Sequence, residues 1–171
     1  MRKYFLSSAI FLMLTGLTPL FAEIKIGAEA LDFSLPTLDE SKVKVKMASY
    51  KNTNVLLNFW ASWCKGCKKE MPFLHKLAKD KGDKLSVVAV NIDNKAKKAE
   101  TYINKFKSKM GETSKIIFVH DKKKLLPKAY ELEAVPCSLL IKNGKIVQYY
   151  LGSFDEESEE VLLSDLKKVL R

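Results

Sequence analysis

Arginine is nearly absent from this chain. Arg2 and Arg171 are the only two, so the excess of 30 basic over 20 acidic residues, a net charge of +10, is almost wholly lysine. The lysines are spread over every segment, with no arginine-rich stripe and no interleaved aromatics. That pattern argues against a nucleic-acid partner and describes a solvated surface with a weak pull on acidic partners or an anionic membrane. Internal repeats and low-complexity linkers are also missing. Cysteine is scarce, three in 171 residues, and no four-cysteine zinc spacing occurs. A metal site would need Cys137 and either His75 or His120 to join Cys64 and Cys67, and nothing in the spacing asks for that.

Charge is missing from one long stretch. Met1-Arg2-Lys3 is followed by 19 uncharged residues, Tyr4 to Ala22. A short basic start and an apolar run form the layout of an export signal. Ala22 supplies a small residue for cleavage, while 19 residues also match the ~17–25 that span a bilayer. A cleaved signal peptide and an uncleaved membrane anchor therefore both fit residues 1–22. No cysteine follows the run, which argues against a lipoprotein anchor. Either way, residues 23–171 are expected to work outside the cytoplasm, and those 149 of the 171 residues make one domain of ordinary size.

What is present is concentrated between Asn58 and Pro72. An apolar, strand-like run, Val55 to Phe59, leads through Trp60-Ala61-Ser62-Trp63 to Cys64-Lys65-Gly66-Cys67 and a predicted helix from Cys67 to about Lys79. Two cysteines separated by two residues thus sit at a strand-to-helix junction. The unpaired N–H groups and partial positive charge of a helix N-terminus favour thiolate over thiol. Such a pair closes too small a loop to be an effective structural staple. It suits reversible dithiol–disulfide exchange, with Cys64 as nucleophile and Cys67 one turn on. Lys65 beside Cys64 should lower its pKa and make the couple more oxidising, and Gly66 should loosen the turn.

Around this motif the periodicities alternate. Leu31–Leu35 and Val43–Val45 read as two short strands joined by the polar stretch Thr37 to Ser41, covering one edge of a core. Leu85–Ile92 and Ile116–Val119 read as buried strands, and Ala96–Met110 as an amphipathic helix. Asp121–Tyr130 reads as a helical segment weakened by Pro127. Val135–Ile141 and Lys145–Tyr150 form a hairpin about Asn143-Gly144. Glu156–Leu170 is a closing helix, acidic at its start and basic at its end, with Val161, Leu162, Leu166, Val169 and Leu170 as its apolar face. Met71, Leu74, Leu77 and Ala78 form the inward face of the helix after the cysteines, and Pro72 should kink it. The sum is one α/β domain.

This order, with Trp-Cys-x-x-Cys at the head of the first long helix and Val135-Pro136 ahead of the hairpin, resembles the thioredoxin fold. Within it the chain is similar to exported TlpA/ResA-type thiol–disulfide oxidoreductases over residues 27–170. Leu57-Asn58-Phe59-Trp60-Ala61-Ser62-Trp63-Cys64 carries the likeness, as do Pro72, Val135-Pro136 and Phe33-Ser34-Leu35-Pro36-Thr37-Leu38-Asp39. The resemblance implies a central mixed sheet flanked by helices, with an added N-terminal β-hairpin. It implies that Cys64 and Cys67 form a redox-active disulfide, that Pro136 is cis, and that Val135 pairs with an extended substrate. Trp60 and Trp63 would pack around the sulfurs, Trp63 on the substrate side. Glu70, three residues after Cys67, would act as its base or proton relay, replacing the buried Asp that cytosolic thioredoxins have where Asn58 stands here.

Cys137 departs from the family's usual Thr; it is either an inert buried residue or a thiol touching the active pair. The implied partners are exported proteins with disulfides, apocytochrome c among the candidates, and a membrane thiol transporter as electron donor. No cofactor or metal is implied. A disulfide-forming oxidase or isomerase is the alternative that Lys65 suggests. A peroxidase of the peroxiredoxin kind would need its cysteine in a Thr/Pro-rich loop instead, and a copper-handling module would need a matched histidine.

Overall fold

The computed structural model describes residues 24–110 and 114–171, so the predicted export segment lies outside the described residues. Strands β1 (Ser34–Pro36) and β2 (Lys44–Lys46) pair antiparallel as a separate two-stranded sheet. Next come β3 (Asn54–Trp60), α1 (Lys65–Lys81), β4 (Ser86–Asn91), α2 (Ala96–Met110) and β5 (Ile117–His120). The short α3 (Leu125–Ala129), β6 (Cys137–Lys142), β7 (Lys145–Leu151) and α4 (Glu156–Val169) complete the chain. The main sheet has the order β5-β4-β3-β6-β7; β3, β4 and β5 are parallel, β6 runs against them, and β7, antiparallel to β6, returns in their direction. This is the thioredoxin-like arrangement of a mixed sheet between helices, with an N-terminal hairpin added. The turn of that hairpin is tied to the sheet edge where the Leu38 N–H donates to the Phe118 carbonyl at 2.9 Å.

Strand alternation divides the interior into two layers. Leu56, Trp60, Val87, Ala89 and Leu140 face a core completed by Met71, Leu74 and Leu77 of α1, Ala99, Ile103 and Phe106 of α2, and Leu162 and Leu166 of α4. Val55, Leu57, Phe59, Val88 and Leu139 face the other way, onto Phe33 and Met47 from the hairpin region and Leu126 and Tyr130 from α3. Central strands apolar on both sides are what a sheet covered on both faces requires.

Three details differ from the sequence-based expectation. Helix α1 begins at Lys65, two residues early, because Cys64 itself caps it. The helical segment near Pro127 is only Leu125–Ala129: Lys124 adopts a left-handed conformation, φ 54°, and the Asp121 carboxylate accepts the Leu126 N–H at 2.8 Å. Val161 lies just off the buried stripe of α4 and faces solvent, while Leu162 and Leu166 are enclosed.

Helix α1 continues through Pro72 as one element. Proline has no N–H to give the carbonyl four residues back, that of Lys68. The Tyr102 hydroxyl of α2 donates to that carbonyl instead, at 3.4 Å, with its ring against Trp60.

Candidate active site: a disulfide at the mouth of α1

Strand β3 ends at Trp60, and the next four residues carry the chain to the start of α1 at the C-terminal end of the parallel strands. Cys64 is the N-cap residue. Its backbone is extended, φ −81° and ψ 113°, and its sulfur accepts the Cys67 N–H at 3.0 Å, as a serine oxygen does at other helix starts. Cys64 and Cys67 are joined as a disulfide with Cα atoms 5.3 Å apart. Cys64 is 8% exposed and Cys67 fully buried, so an incoming group meets Cys64 first. The hydrogen bond and the positive helix end would both stabilise a thiolate at Cys64 once the bond opens.

Beneath the pair lies a polar cluster inside an otherwise apolar layer. Glu70 is 1% exposed and shares the helix face of Cys67. Its Oε1 accepts from Asn58 Nδ2 at 2.8 Å, and its Oε2 accepts the Phe154 N–H at 3.1 Å. Burial pushes the Glu70 carboxyl up from 4.5 to about 7; the hydrogen bonds from Asn58 and Phe154 hold it back in part. Asn58 also donates to Ser138 Oγ at 2.9 Å, directly across the β3–β6 ladder, and its own Oδ1 is buried without a partner.

The Val135–Pro136 peptide is cis, as the resemblance implies. It brings the Val135 carbonyl oxygen within 3.6 Å of Cys64 Sγ. Gly66 packs under this loop: a Cβ there would stand 3.4 Å from Ser153 and 3.7 Å from Pro136. Cys137, next in line, belongs to the opposite layer with Phe59, Leu139 and Tyr130. Burial, with Glu70 as a lesser cause, pushes its thiol up to about 12. The expected alternative in which Cys137 touches the active pair is thereby corrected: one residue of strand alternation turns it away and presents Ser138 in its place. The metal route through Cys137 closes for the same geometric reason.

The two tryptophans separate. Trp60 is enclosed among Phe118, Tyr102 and the cysteines. Trp63, expected to pack around the sulfurs, stands 65% exposed, next to Cys64 in the chain.

Residues 25–170 match the Redoxin family. The chain belongs to that family. It is 34% identical to the thioredoxin-like protein YneN of Bacillus subtilis (strain 168), over 94% of this chain and 96% of that protein. It is 32% identical to the thiol-disulfide oxidoreductase ResA of Bacillus anthracis, over 86% and 80%. A Chlorobium tepidum protein described as a thiol:disulfide interchange protein DsbE superposes with a TM-score of 0.77 at 28% identity, covering 87% of this chain and all of that one. This redoxin is accordingly a thiol–disulfide oxidoreductase of the ResA/DsbE type, with Cys64 and Cys67 as its CxxC pair.

Sequence reading of this redoxin missed three neighbours of the site. Ser138 was recoverable, since antiparallel pairing of β6 on β3 sets it opposite Asn58. Asp93, whose carboxylate accepts the Ser62 N–H at 3.1 and 3.3 Å, follows β4 and had only its place after a buried strand to mark it. The Phe154 backbone N–H has no sequence signal at all.

Proposed function

We propose that this redoxin is a reductant of disulfides in exported proteins, working outside the cytoplasm. The carrying observation is the placement of Cys64 as the cap of α1 with Cys67 and the near-neutral Glu70 stacked behind it. In the reduced protein the Cys64 thiolate attacks one sulfur of a client disulfide. A Cys64–client S–S bond forms, the client bond breaks, and the departing client thiolate takes a proton. Cys67 gives its proton to Glu70 and attacks Cys64 Sγ, closing the Cys64–Cys67 bond and releasing the second client thiolate. Two electrons pass to the client, and the enzyme ends as the disulfide seen here. The Val135 carbonyl faces the incoming segment and can receive its backbone N–H.

The uncharged stretch after Met1-Arg2-Lys3 supports the location, as signal or anchor. A membrane thiol transporter would then restore the dithiol. Likeness to ResA-type proteins makes the haem-binding cysteines of apocytochrome c the candidate client. Lys65, exposed at the first position of α1, favours a second reading, a disulfide-forming oxidase or isomerase. The equilibrium potential of the pair against glutathione decides between them: near ~−270 mV or below suits the reductant, near ~−120 mV the oxidant. With Cys67→Ser, a stable Cys64–client mixed disulfide should accumulate; failure to trap one with any protein disulfide would refute the mechanism.

A further inference from the structure

The rim around Cys64 is divided electrically. On one side, a groove beside the exposed Trp63 ring is lined by Lys95, Lys98 and Lys124, with Asp93 at its floor. A second groove, against Ser62, shares Lys98 and adds Lys68, Lys97 and Lys105. Among the described residues none of these six side chains makes an ion pair. Asp93 is buried and turned to the Ser62 backbone. On the other side, α4 starts with Asp155, Glu156, Glu157 and Glu159. It meets the site through Ser153 against Gly66 and Phe154 on Glu70.

Six lysines against the one buried carboxylate of Asp93 leave the grooves net positive, and a bound anion relieves the repulsion among them. A large exposed ring in their midst supplies apolar contact, a pairing common where partners dock. Since Ser62 and Trp63, which line the grooves, lead directly to Cys64, a segment that fills them can reach on to the reacting sulfur. We propose that the Trp63 side of the rim is a docking surface for client segments that carry aspartate or glutamate next to the disulfide. The acidic start of α4 repels the same carboxylates and so sets which way the segment lies across Val135. The proposal rests on the oxidoreductase reading and adds the client's charge to it.

The test uses the full chain, reduced, with three disulfide-closed peptides that differ only in flanking Asp, Ser or Lys. Hydroxyethyl disulfide serves as an uncharged control. At 20 mM salt the Asp peptide should be reduced at least about tenfold faster than the Lys peptide, and at 0.5 M salt within about threefold. The combined Lys95→Gln, Lys98→Gln, Lys124→Gln variant should bring the low-salt ratio below about threefold. A variant with equal charge loss at the far end of α1 and α4, Lys81→Gln, Lys84→Gln, Lys167→Gln, should keep it. Equal loss of selectivity in both variants would assign the effect to net charge and overturn the proposal. A flat ratio with hydroxyethyl disulfide still turned over overturns this proposal alone. No turnover of the control either would sink the oxidoreductase reading with it. Flat peptide rates together with lysine-dependent sedimentation on phosphatidylglycerol vesicles would assign the face to a membrane and also overturn it.

Discussion

Cys64 and Cys137 are neighbours of the same cis-proline loop, yet the fold gives their sulfurs opposite environments. Cys64 caps a helix, receives a backbone N–H and sits at the surface end of a strand. Cys137 is one residue past Pro136 and faces a sealed apolar layer, where burial drives its thiol up to about 12. The lesson is that sulfur reactivity in this protein is set by donors and helix ends rather than by distance along the chain.

The strongest way to break this comparison is to remove each sulfur. Cys64→Ser should cost at least about a thousandfold in disulfide exchange, since the two remaining thiols, Cys67 and Cys137, are fully buried. Cys137→Ala should leave the rate within about twofold, and iodoacetamide should spare Cys137 in the folded, oxidised protein. Labelling of native Cys137 at a rate near that of a free thiol would contradict the contrast.

A second test concerns the polar cluster that lies on the Cys64 side of the sheet. Burial raises Glu70 above its ordinary 4.5, so the folded state holds this proton more tightly than the unfolded chain does. Its contribution to stability is full below pH 4.5 and is lost as pH climbs through about 7, a change on the order of 3 kcal/mol. Urea unfolding should show that loss in the wild type, and Glu70→Gln should remove it. The same variant should slow resolution by Cys67 with attack by Cys64 retained; exchange rates equal to wild type from pH 5 to 9 would refute the relay. Asn58→Leu deletes a donor to Glu70 and should move the stability loss to higher pH, while costing about 1–3 kcal/mol by stranding Ser138 and the carboxylate.

The smaller effects sharpen the helix-end argument. Lys65→Gln removes a cation beside the capping sulfur and should raise the Cys64 pKa, read by thiolate absorbance at 240 nm. Gly66→Ala should stabilise α1 by about 0.5–1 kcal/mol in thermal unfolding, because the 3.4 Å approach to Ser153 is ordinary contact.

Much of this was legible beforehand because it is local. Alternating and helical periodicities marked every strand and helix, and Trp-Cys-Lys-Gly-Cys with Val135-Pro136 marked the site. The errors and the choices left open fall where a non-local partner decides. Whether Cys137 or Ser138 faces the polar cluster under the sulfurs was left open, and it depends on the pairing of β6 with Asn58 on β3. The exposure of Trp63 depends on where β3 stops and α1 starts. Phe154 enters through its backbone, which no side-chain pattern records. The shortness of α3 follows from a left-handed Lys124, a conformation unusual for lysine and unsignalled by it.

The phenol that reaches across to the carbonyl orphaned by Pro72 has a practical corollary. Burial keeps Tyr102 protonated up to about pH 12, so this strut persists under any physiological condition. An engineer transplanting the redox helix onto a smaller scaffold would have to bring along the α2 excursion, or replace the proline. Taken alone, the helix would carry a gap in its backbone ladder one turn below the chemistry.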